Sequence, residues 1–170
     1  MSLSKITNEE LLNHLQTAFG ESILEHNEAF GLMNVYVPAT KAKEVVKWLK
    51  ENETIKMRYL TNLAAIHYPE NKRAELEVVY QLHSLTNNVR LRVKSKLSIE
   101  QPEIETIVDV FAGANWMERE TYDFFGVIFT GHPNLKKILN MEDQDYFPMR
   151  KEFPLEDRTR EDKDNRFFGR

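Results

Sequence analysis

The residues best suited to chemistry lie close together, between positions 113 and 133. Glu118, Glu120 and Asp123 supply carboxylates, and His132 follows them near the end of the segment. Carboxylates and imidazole are common general acids and bases, and both also bind metals. The segment therefore has the residue types of a hydrolase or a metal site, and their spacing must decide between these and a structural role.

The spacing does not favour catalysis. Glu118 and Glu120 are two residues apart, which on a helix separates their directions by about 200° and does not suit a paired-carboxylate site. The sequence has no His-Glu-x-x-His motif, and His132 lies between Gly131 and Pro133, which is typical of a turn. We therefore expect His132 to form hydrogen bonds that fix this turn.

Other enzyme motifs are absent from the sequence. It has no Gly-rich phosphate loop and no Gly-x-Ser-x-Gly nucleophile turn. It has no cysteine, which excludes thiolate metal sites, iron–sulfur ligands and a cysteine nucleophile. The residues thus favour an adaptor over a catalyst. A stand-alone hydrolase or metal enzyme that uses the carboxylates and the histidine stays open, and with it the question of whether the chain is an enzyme.

Charge and hydropathy limit the partners. The chain has 23 Lys and Arg against 27 Asp and Glu, a formal net charge of −4, whereas nucleic-acid-binding domains are usually basic. The N-terminus has no apolar signal region, and no apolar run approaches the roughly 20 residues of a membrane helix. We expect a soluble chain that binds no nucleic acid and reaches a membrane only through partners.

A helix is expected to position the candidate residues. Asn115 and Glu118 have the spacing of a capping box, which predicts a helix that begins at Asn115 and extends to Gly126. Glu120 shares one arc of this helix with large apolar residues, namely Trp116, Met117 and Phe124. A carboxylate in an apolar arc needs a raised pKa or an arginine partner. We therefore expect Glu120 to lie among these apolar side chains and either to take a raised pKa or to meet an arginine of this chain or of a partner.

The preceding residues predict helices and strands in one domain. Thr7 and Glu10 form a capping box before a first helix that Gly20 ends, and a second helix is predicted from Thr40. Short strands are expected at 23–26 and 32–37, and an extended segment at 56–68. The predicted class is α+β, with a mixed sheet, an antiparallel hairpin, flanking helices and an extended C-terminal arm.

Residues 76–97 carry the clearest strand pattern. Apolar and polar residues alternate on both sides of Thr86-Asn87-Asn88, which predicts an antiparallel hairpin. A two-residue loop would place His83 opposite Arg92. The second strand has a basic face, formed by Arg90, Arg92, Lys94 and Lys96. Because the first strand offers Glu75 and Glu77 on the same face, we expect cross-strand ion pairs rather than a nucleic-acid site.

Residues 141–170 differ in composition from residues 1–140. Of these 30 residues 16 are charged and five are aromatic. Disordered tails are usually poor in aromatic residues, so two interpretations stand: a disordered end, or an arm that becomes ordered on a partner. We divide the chain into an α+β domain, 1–140, and an extended partner-docking tail, 141–170.

The run from Ala114 to Leu139 resembles the signature of the 30 kDa subunit family, also called the C subunit, of respiratory NADH:quinone oxidoreductase (complex I). The family pattern, roughly E-R-E-x-Y-D-x-F-G-[IV]-x-F-x-G-H-P-x-L-x-[KR]-I-L, is met at every fixed position. Residues 147–155 resemble a further element, P-L-R-K-D-Y-P-L, with substitutions. His67 stands where the family often has Asp.

The resemblance implies a non-catalytic structural subunit of the peripheral arm, located at the cytoplasmic face of the bacterial inner membrane. Such a protein packs against the D subunit of complex I near the quinone-reducing end and binds no cofactor, while the whole complex uses FMN, iron–sulfur clusters and quinone to pass electrons from NADH to quinone and to translocate protons. The same module in a membrane-bound hydrogenase or another quinone-linked dehydrogenase is the alternative. The signature residues that could lie at an interface are Glu118, Arg119, Glu120, Tyr122, Asp123, Gly126, Gly131, His132, Pro133, Arg150 and Lys151.

Overall fold

A computed structural model describes residues 6–153 of the chain, and these residues form three helices and seven strands. The helices are α1 (Asn8–Phe19), α2 (Ala39–Glu51) and α3 (Ala114–Phe125), with one 3₁₀ turn at Gly20–Ser22. The strands are β1 (Glu25–Ala29), β2 (Leu32–Tyr36), β3 (Tyr59–His67), β4 (Leu76–Ser84), β5 (Val89–Leu97), β6 (Glu103–Glu105) and β7 (Ile128–Thr130). None of the helices in the described range is long and apolar enough to span a membrane.

The main sheet has five strands in the order β1-β2-β5-β4-β3. Neighbouring strands are antiparallel except for β2 and β5, which are parallel. Strands β6 and β7 form a separate parallel pair that leads into and out of α3. This arrangement confirms the predicted α+β class with a mixed sheet.

The hydrophobic core lies on one face of the main sheet. Successive side chains of a strand point to opposite faces, and the buried apolar residues of β2 to β5 lie mostly on one face, with Val79 of β4 on the other. Val35, Leu63, Val78 and Leu91 belong to the same core cluster as residues of the helices, such as Leu49. The opposite face of the sheet is covered by no helix among residues 6–153, so its side chains depend on one another for burial.

The local signals for the first helix are confirmed. The Thr7 hydroxyl accepts a hydrogen bond from the Glu10 backbone, and the Glu10 carboxylate accepts one from the Thr7 backbone. Helix α1 ends at Phe19, with Gly20 as its C-cap, and α2 begins at Ala39, one residue before the predicted start. Strand β1 lies two to three residues later than expected.

The predicted register of the β4–β5 hairpin is wrong. Its loop has four residues rather than two, so His83 pairs with Arg90. The reason is Asn87, which is buried and whose side-chain amide donates hydrogen bonds to the carbonyls of Thr54 and Ile55, at 2.8 and 2.9 Å. These contacts hold Asn87 in the loop, and strand pairing ends at Ser84 and Val89.

Candidate functional site

Helix α3 carries five of the eleven candidate residues, but it begins differently from the prediction. It starts at Ala114 with Gly113 as N-cap, and no side chain caps its first turn. The predicted capping box between Asn115 and Glu118 is therefore wrong, because Glu118 binds elsewhere. The helix ends as expected at Gly126, whose φ of +77° is the left-handed conformation that glycine adopts without strain.

Glu118 is the fully buried glutamate of α3. Its Oε1 accepts a hydrogen bond from the Ile107 backbone at 2.8 Å, and its Oε2 accepts one from the Thr106 hydroxyl at 2.5 Å. Burial raises the pKa of Glu118 to about 7, although the two hydrogen bonds oppose that rise. Glu118 thus anchors the loop that follows β6.

The prediction that Glu120 lies among buried apolar side chains is wrong. Glu120 is exposed, and Trp116 on the same arc is 63% exposed. The helix instead turns its polar side inward, with Glu118, Thr121 and Asp123 buried. Backbone and hydroxyl donors on neighbouring segments satisfy the inner carboxylates, so the large apolar residues of the arc are left facing outward or half-buried.

Asp123 holds the segment at 138–140 to the C-terminal half of α3. Its Oδ2 accepts hydrogen bonds from the backbone N–H groups of Ile138, Leu139 and Asn140, at 3.0, 2.7 and 3.1 Å. Its Oδ1 accepts a fourth from the Asn140 amide at 3.0 Å. Burial would raise the pKa of Asp123, but these hydrogen bonds lower it below its ordinary value.

Arg119 binds the same returning segment from a different position on the helix. Its guanidinium donates to the carbonyls of Lys136 and Lys137, at 3.1 and 3.4 Å, and stacks on the Trp116 ring at 4.8 Å from the centroid. Arg119 and Asp123 therefore do not form an ion pair across one helical turn. Together they attach residues 136–140 to the helix by backbone contacts.

His132 occupies the turn between β7 and this segment. Its Nδ1 accepts a hydrogen bond from the Asn134 backbone at 3.0 Å, which leaves Nε2 to donate to the Asn115 carbonyl at 3.2 Å. Gly131 beside it has a φ of +82°, and Pro133 is exposed. These contacts confirm that His132 fixes the turn to the start of α3.

Residues 147–150 pack on the C-terminal end of α3. The Phe147 ring lies edge-on to Tyr122, with the centroids 6.3 Å apart, and Arg150 donates to the Phe125 carbonyl at 2.8 Å. A Cβ atom at Gly126 would lie 2.5 Å from the Phe147 ring. Gly126 is thus required both by its backbone conformation and by this close approach.

Lys151 contacts the edge strand β3. Its backbone N–H donates to Nδ1 of the buried His67 at 3.0 Å, and its ammonium lies 5.5 Å from the centroid of the Tyr68 ring. Glu152 approaches the same His67 nitrogen at 3.4 Å. His67, which departs from the family pattern, therefore binds the beginning of the C-terminal segment.

The candidate residues form several separate contacts rather than one cluster. Within residues 6–153, no group of three or more His, Asp or Glu residues is placed to hold a metal ion. Sequence reasoning missed the partners that explain the carboxylates, Thr106 and Asn140, and it missed the role of Phe147. Their distances along the chain match no motif, and only the donor chemistry of Asn140, the residue after the signature, could have indicated its role.

Comparison with known proteins identifies the family. The sequence model described as "Respiratory-chain NADH dehydrogenase, 30 Kd subunit" matches residues 35–159, which include most of the main sheet and the whole of α3. The chain belongs to this family. The match confirms the resemblance of the α3 signature to the 30 kDa subunit and places the chain among proteins of respiratory electron transport.

Curated members of the family match over most of the chain. The NADH-quinone oxidoreductase C subunit of Roseiflexus sp. (strain RS-1) is 36% identical over 150 residues, which cover 88% of this chain and 86% of that protein. The NADH-quinone oxidoreductase C subunit 2 of Rhizobium etli (strain CIAT 652) is 39% identical over 138 residues, or 81% of this chain and 72% of that protein.

Solved structures share the fold. A trypsin-resistant fragment of Nqo5 matches with a TM-score of 0.64 and 28% identity, covering 74% of this chain and 98% of the fragment. A chain of the membrane-bound sulfane sulfur reductase, an archaeal respiratory membrane complex, matches with a TM-score of 0.72 and 23% identity, covering 86% of this chain and 85% of that one. At 23% identity, the second match shows only that the two chains share a fold.

Proposed function

We propose that this chain is a non-catalytic structural subunit of the peripheral arm of an NADH:quinone oxidoreductase. It binds the D subunit of that complex near the quinone-reducing end, on the cytoplasmic face of the membrane, and supports electron transfer from NADH to quinone in a proton-translocating complex. It carries no cofactor itself, and the FMN, iron–sulfur clusters and quinone belong to other parts of the complex. Family membership and the names of the relatives support this role.

The orientation of α3 is the observation that carries the proposal. Its two buried carboxylates, Glu118 and Asp123, hold neighbouring loops, whereas Trp116 and Glu120 face outward. A catalytic helix would instead aim its acid or base into a cleft. A helix that buries charge and exposes a large aromatic residue has the composition of an interface, where tryptophan is a frequent source of binding energy.

The segment after α3 adds exposed apolar side chains near the C-terminal end of the helix. Residues 141–153 include several exposed large side chains, namely Met141, Tyr146, Met149 and Phe153. The Tyr146 and Phe153 rings lie 4.9 Å apart, and the Met149 backbone donates to the Phe124 carbonyl of α3. Exposed apolar groups of this kind mark protein–protein contact surfaces, which supports a partner near this end of the helix. The remainder of the predicted tail, 154–170, lies outside the described residues.

Affinity purification of the tagged full-length chain from membranes of its source organism tests the proposal. We expect mass spectrometry to find the D subunit and other peripheral-arm subunits. The variant Trp116→Ala should reduce their recovery about tenfold or more, as loss of an interface anchor does. Leu85→Ala is the matched control, because Leu85 is 69% exposed in the β4–β5 loop, and it should recover the same proteins as the unmodified chain.

Other outcomes would redirect the assignment. Recovery of hydrogenase subunits would move the chain to a related membrane-bound assembly. Recovery of the chain alone would contradict the structural role. It would favour the alternative of a stand-alone hydrolase or metal enzyme that uses the carboxylates and His132. Equal losses in Trp116→Ala and Leu85→Ala would contradict the specific contribution of α3.

A further inference from the structure

The face of the main sheet opposite the helices carries a polar surface. By alternation along the strands, it presents Arg90, Arg92, Lys94 and Lys96 of β5, the middle strand of the sheet. No helix among residues 6–153 covers it. A sheet with one face on the core commonly leaves the other to solvent, so the composition of this face decides whether it has a further role.

A row of amide side chains crosses the whole sheet on this face. The strand registers place one polar residue of each strand side by side, in the order Asn27, Asn34, Arg92, Gln81 and Asn62. Asparagine is depleted in strands, so strand propensity does not explain three asparagines in one row. Amide groups both donate and accept hydrogen bonds, as peptide groups do, and an arginine lies at the centre of the row.

The charges on β5 divide into two pairs. Lys94 binds Glu77 at 2.8 Å and Lys96 binds Glu25 at 3.4 Å, and both ammonium groups lie over the Tyr36 ring. Arg90 and Arg92 form no ion pair with any residue of the described range. Among residues 6–153, ion pairs therefore neutralise Lys94 and Lys96 but leave Arg90 and Arg92 without a carboxylate.

Two buried polar atoms beside these arginines have no partner among residues 6–153. They are Oδ1 of Asn34, a residue only 3% exposed that pairs in register with Arg92, and Nε2 of His83, which pairs with Arg90. Buried side-chain polar atoms are nearly always hydrogen-bonded in folded proteins. The unpaired atoms and the unpaired charges thus occur at the same place on the sheet.

We propose that this face binds an acidic polypeptide segment of a partner protein in the assembly, with Arg90 and Arg92 pairing its carboxylates and the accessible amides of the row, Asn27, Gln81 and Asn62, bonding its peptide groups. The inference rests on the proposed function, since it assigns a second contact surface within the same assembly. Residues 154–170 of this chain suit the site poorly, because they contain five acidic and five basic residues. A single-stranded nucleic acid suits it poorly as well, because no aromatic side chain separates the basic residues along β5.

Charge reversal tests the surface. The full-length variant Arg90→Glu/Arg92→Glu is purified from native membranes beside Lys47→Glu/Lys72→Glu, which makes the same change of charge at exposed positions elsewhere. We expect the first variant to recover at least one peripheral-arm protein about tenfold less than the unmodified chain, since reversed charges repel a complementary partner. The control should recover it fully. Arg90→Gln/Arg92→Gln replaces the first variant if its thermal midpoint falls.

A second experiment, chemical cross-linking, identifies the partner residues. The Arg92→Lys variant introduces an amine that a carbodiimide can join to a carboxylate in direct contact. Mass spectrometry should then find position 92 of this variant linked to Asp or Glu of a partner. Equal recovery by the arginine variants and the control, while the unmodified chain recovers the complex, overturns this inference and leaves the proposed function intact. Failure of the unmodified chain to recover any peripheral-arm protein contradicts the proposed function itself. Binding of a single-stranded oligonucleotide that the arginine variants lose would also overturn the acidic-segment assignment.

Discussion

Two carboxylates on α3, five positions apart, have opposite electrostatic outcomes. Glu118 and Asp123 are both fully buried. Burial raises the pKa of each, yet the net pKa of Glu118 is about 7, whereas that of Asp123 is below its ordinary value. The difference lies in the donors: Glu118 receives two hydrogen bonds, and Asp123 receives four, three of them from successive backbone N–H groups.

The comparison shows that burial alone does not set the charge of a side chain. A carboxylate that accepts several backbone hydrogen bonds keeps its charge even without water, because fixed dipoles replace the hydration shell. When a buried carboxylate accepts fewer hydrogen bonds, its neutral, protonated form is also populated near neutral pH. Asp123 therefore acts as a permanent charge that organises residues 138–140, while Glu118 is a group whose charge follows the pH.

Removing Asp123 should have the largest effect. Asp123→Ala leaves four donors without their acceptor, and we expect the free energy of unfolding to fall by about 3 kcal/mol, as for loss of charged hydrogen bonds at a buried site. Urea unfolding of the purified full-length chain measures the loss. The control is Asp143→Ala, at an exposed position. A loss no larger than that of the control would contradict the anchoring role.

The pH dependence of stability should report Glu118. Because the pKa of Glu118 is raised in the folded state, the folded chain binds more protons at this site, so the contribution of Glu118 to stability is greatest at low pH and declines as the pH rises toward and through about 7. Between about pH 5.5 and 8 we expect the free energy of unfolding to fall by about 2 kcal/mol. Glu118→Gln should remove this decline, as measured by thermal or urea unfolding across the same range. A decline that persists in the variant would assign it to another group.

Removing one donor of Asp123 should have the smallest effect. Asn140→Ala deletes the side-chain amide but keeps the three backbone donors, so we expect a loss of about 1 kcal/mol and a modest rise in the pKa of Asp123. Asn134→Ala is the control, because the Asn134 contact to His132 uses its backbone. NMR titration of the Asp123 carboxyl carbon follows the pKa. A loss equal to that of Asp123→Ala would show that the backbone donors contribute little.

Local signals predicted the elements of this fold better than they predicted its contacts. The Thr7 capping box and the alternation of residues 76–97 act between neighbours in sequence, so α1 and the hairpin followed from them. The hairpin loop did not, because Asn87 bonds to residues more than 30 positions away. A prediction from spacing could not include that contact.

The site shows the same limit. The position and the end of α3 were predictable, but its orientation was not, because the periodicity argument assumes that an apolar arc faces the core. Trp116 faces outward since Glu118 finds its donors at Thr106 and Ile107, 12 and 11 residues earlier. The sequence indicates that a carboxylate must be satisfied, but not which carboxylate is buried or where its donors lie.

The parallel pairing of β2 with β5 has a consequence for how the chain folds during synthesis. The β1–β2 and β4–β5 hairpins are local and can form within microseconds, but Tyr36 meets Lys94 only after 58 further residues have been made. At about 5–20 residues per second, the edge of β2 that pairs with β5 stays unpaired for several seconds while β5 is synthesised. An unpaired strand edge is a site of aggregation, so the nascent chain passes through a period in which a chaperone would bind β2 most readily.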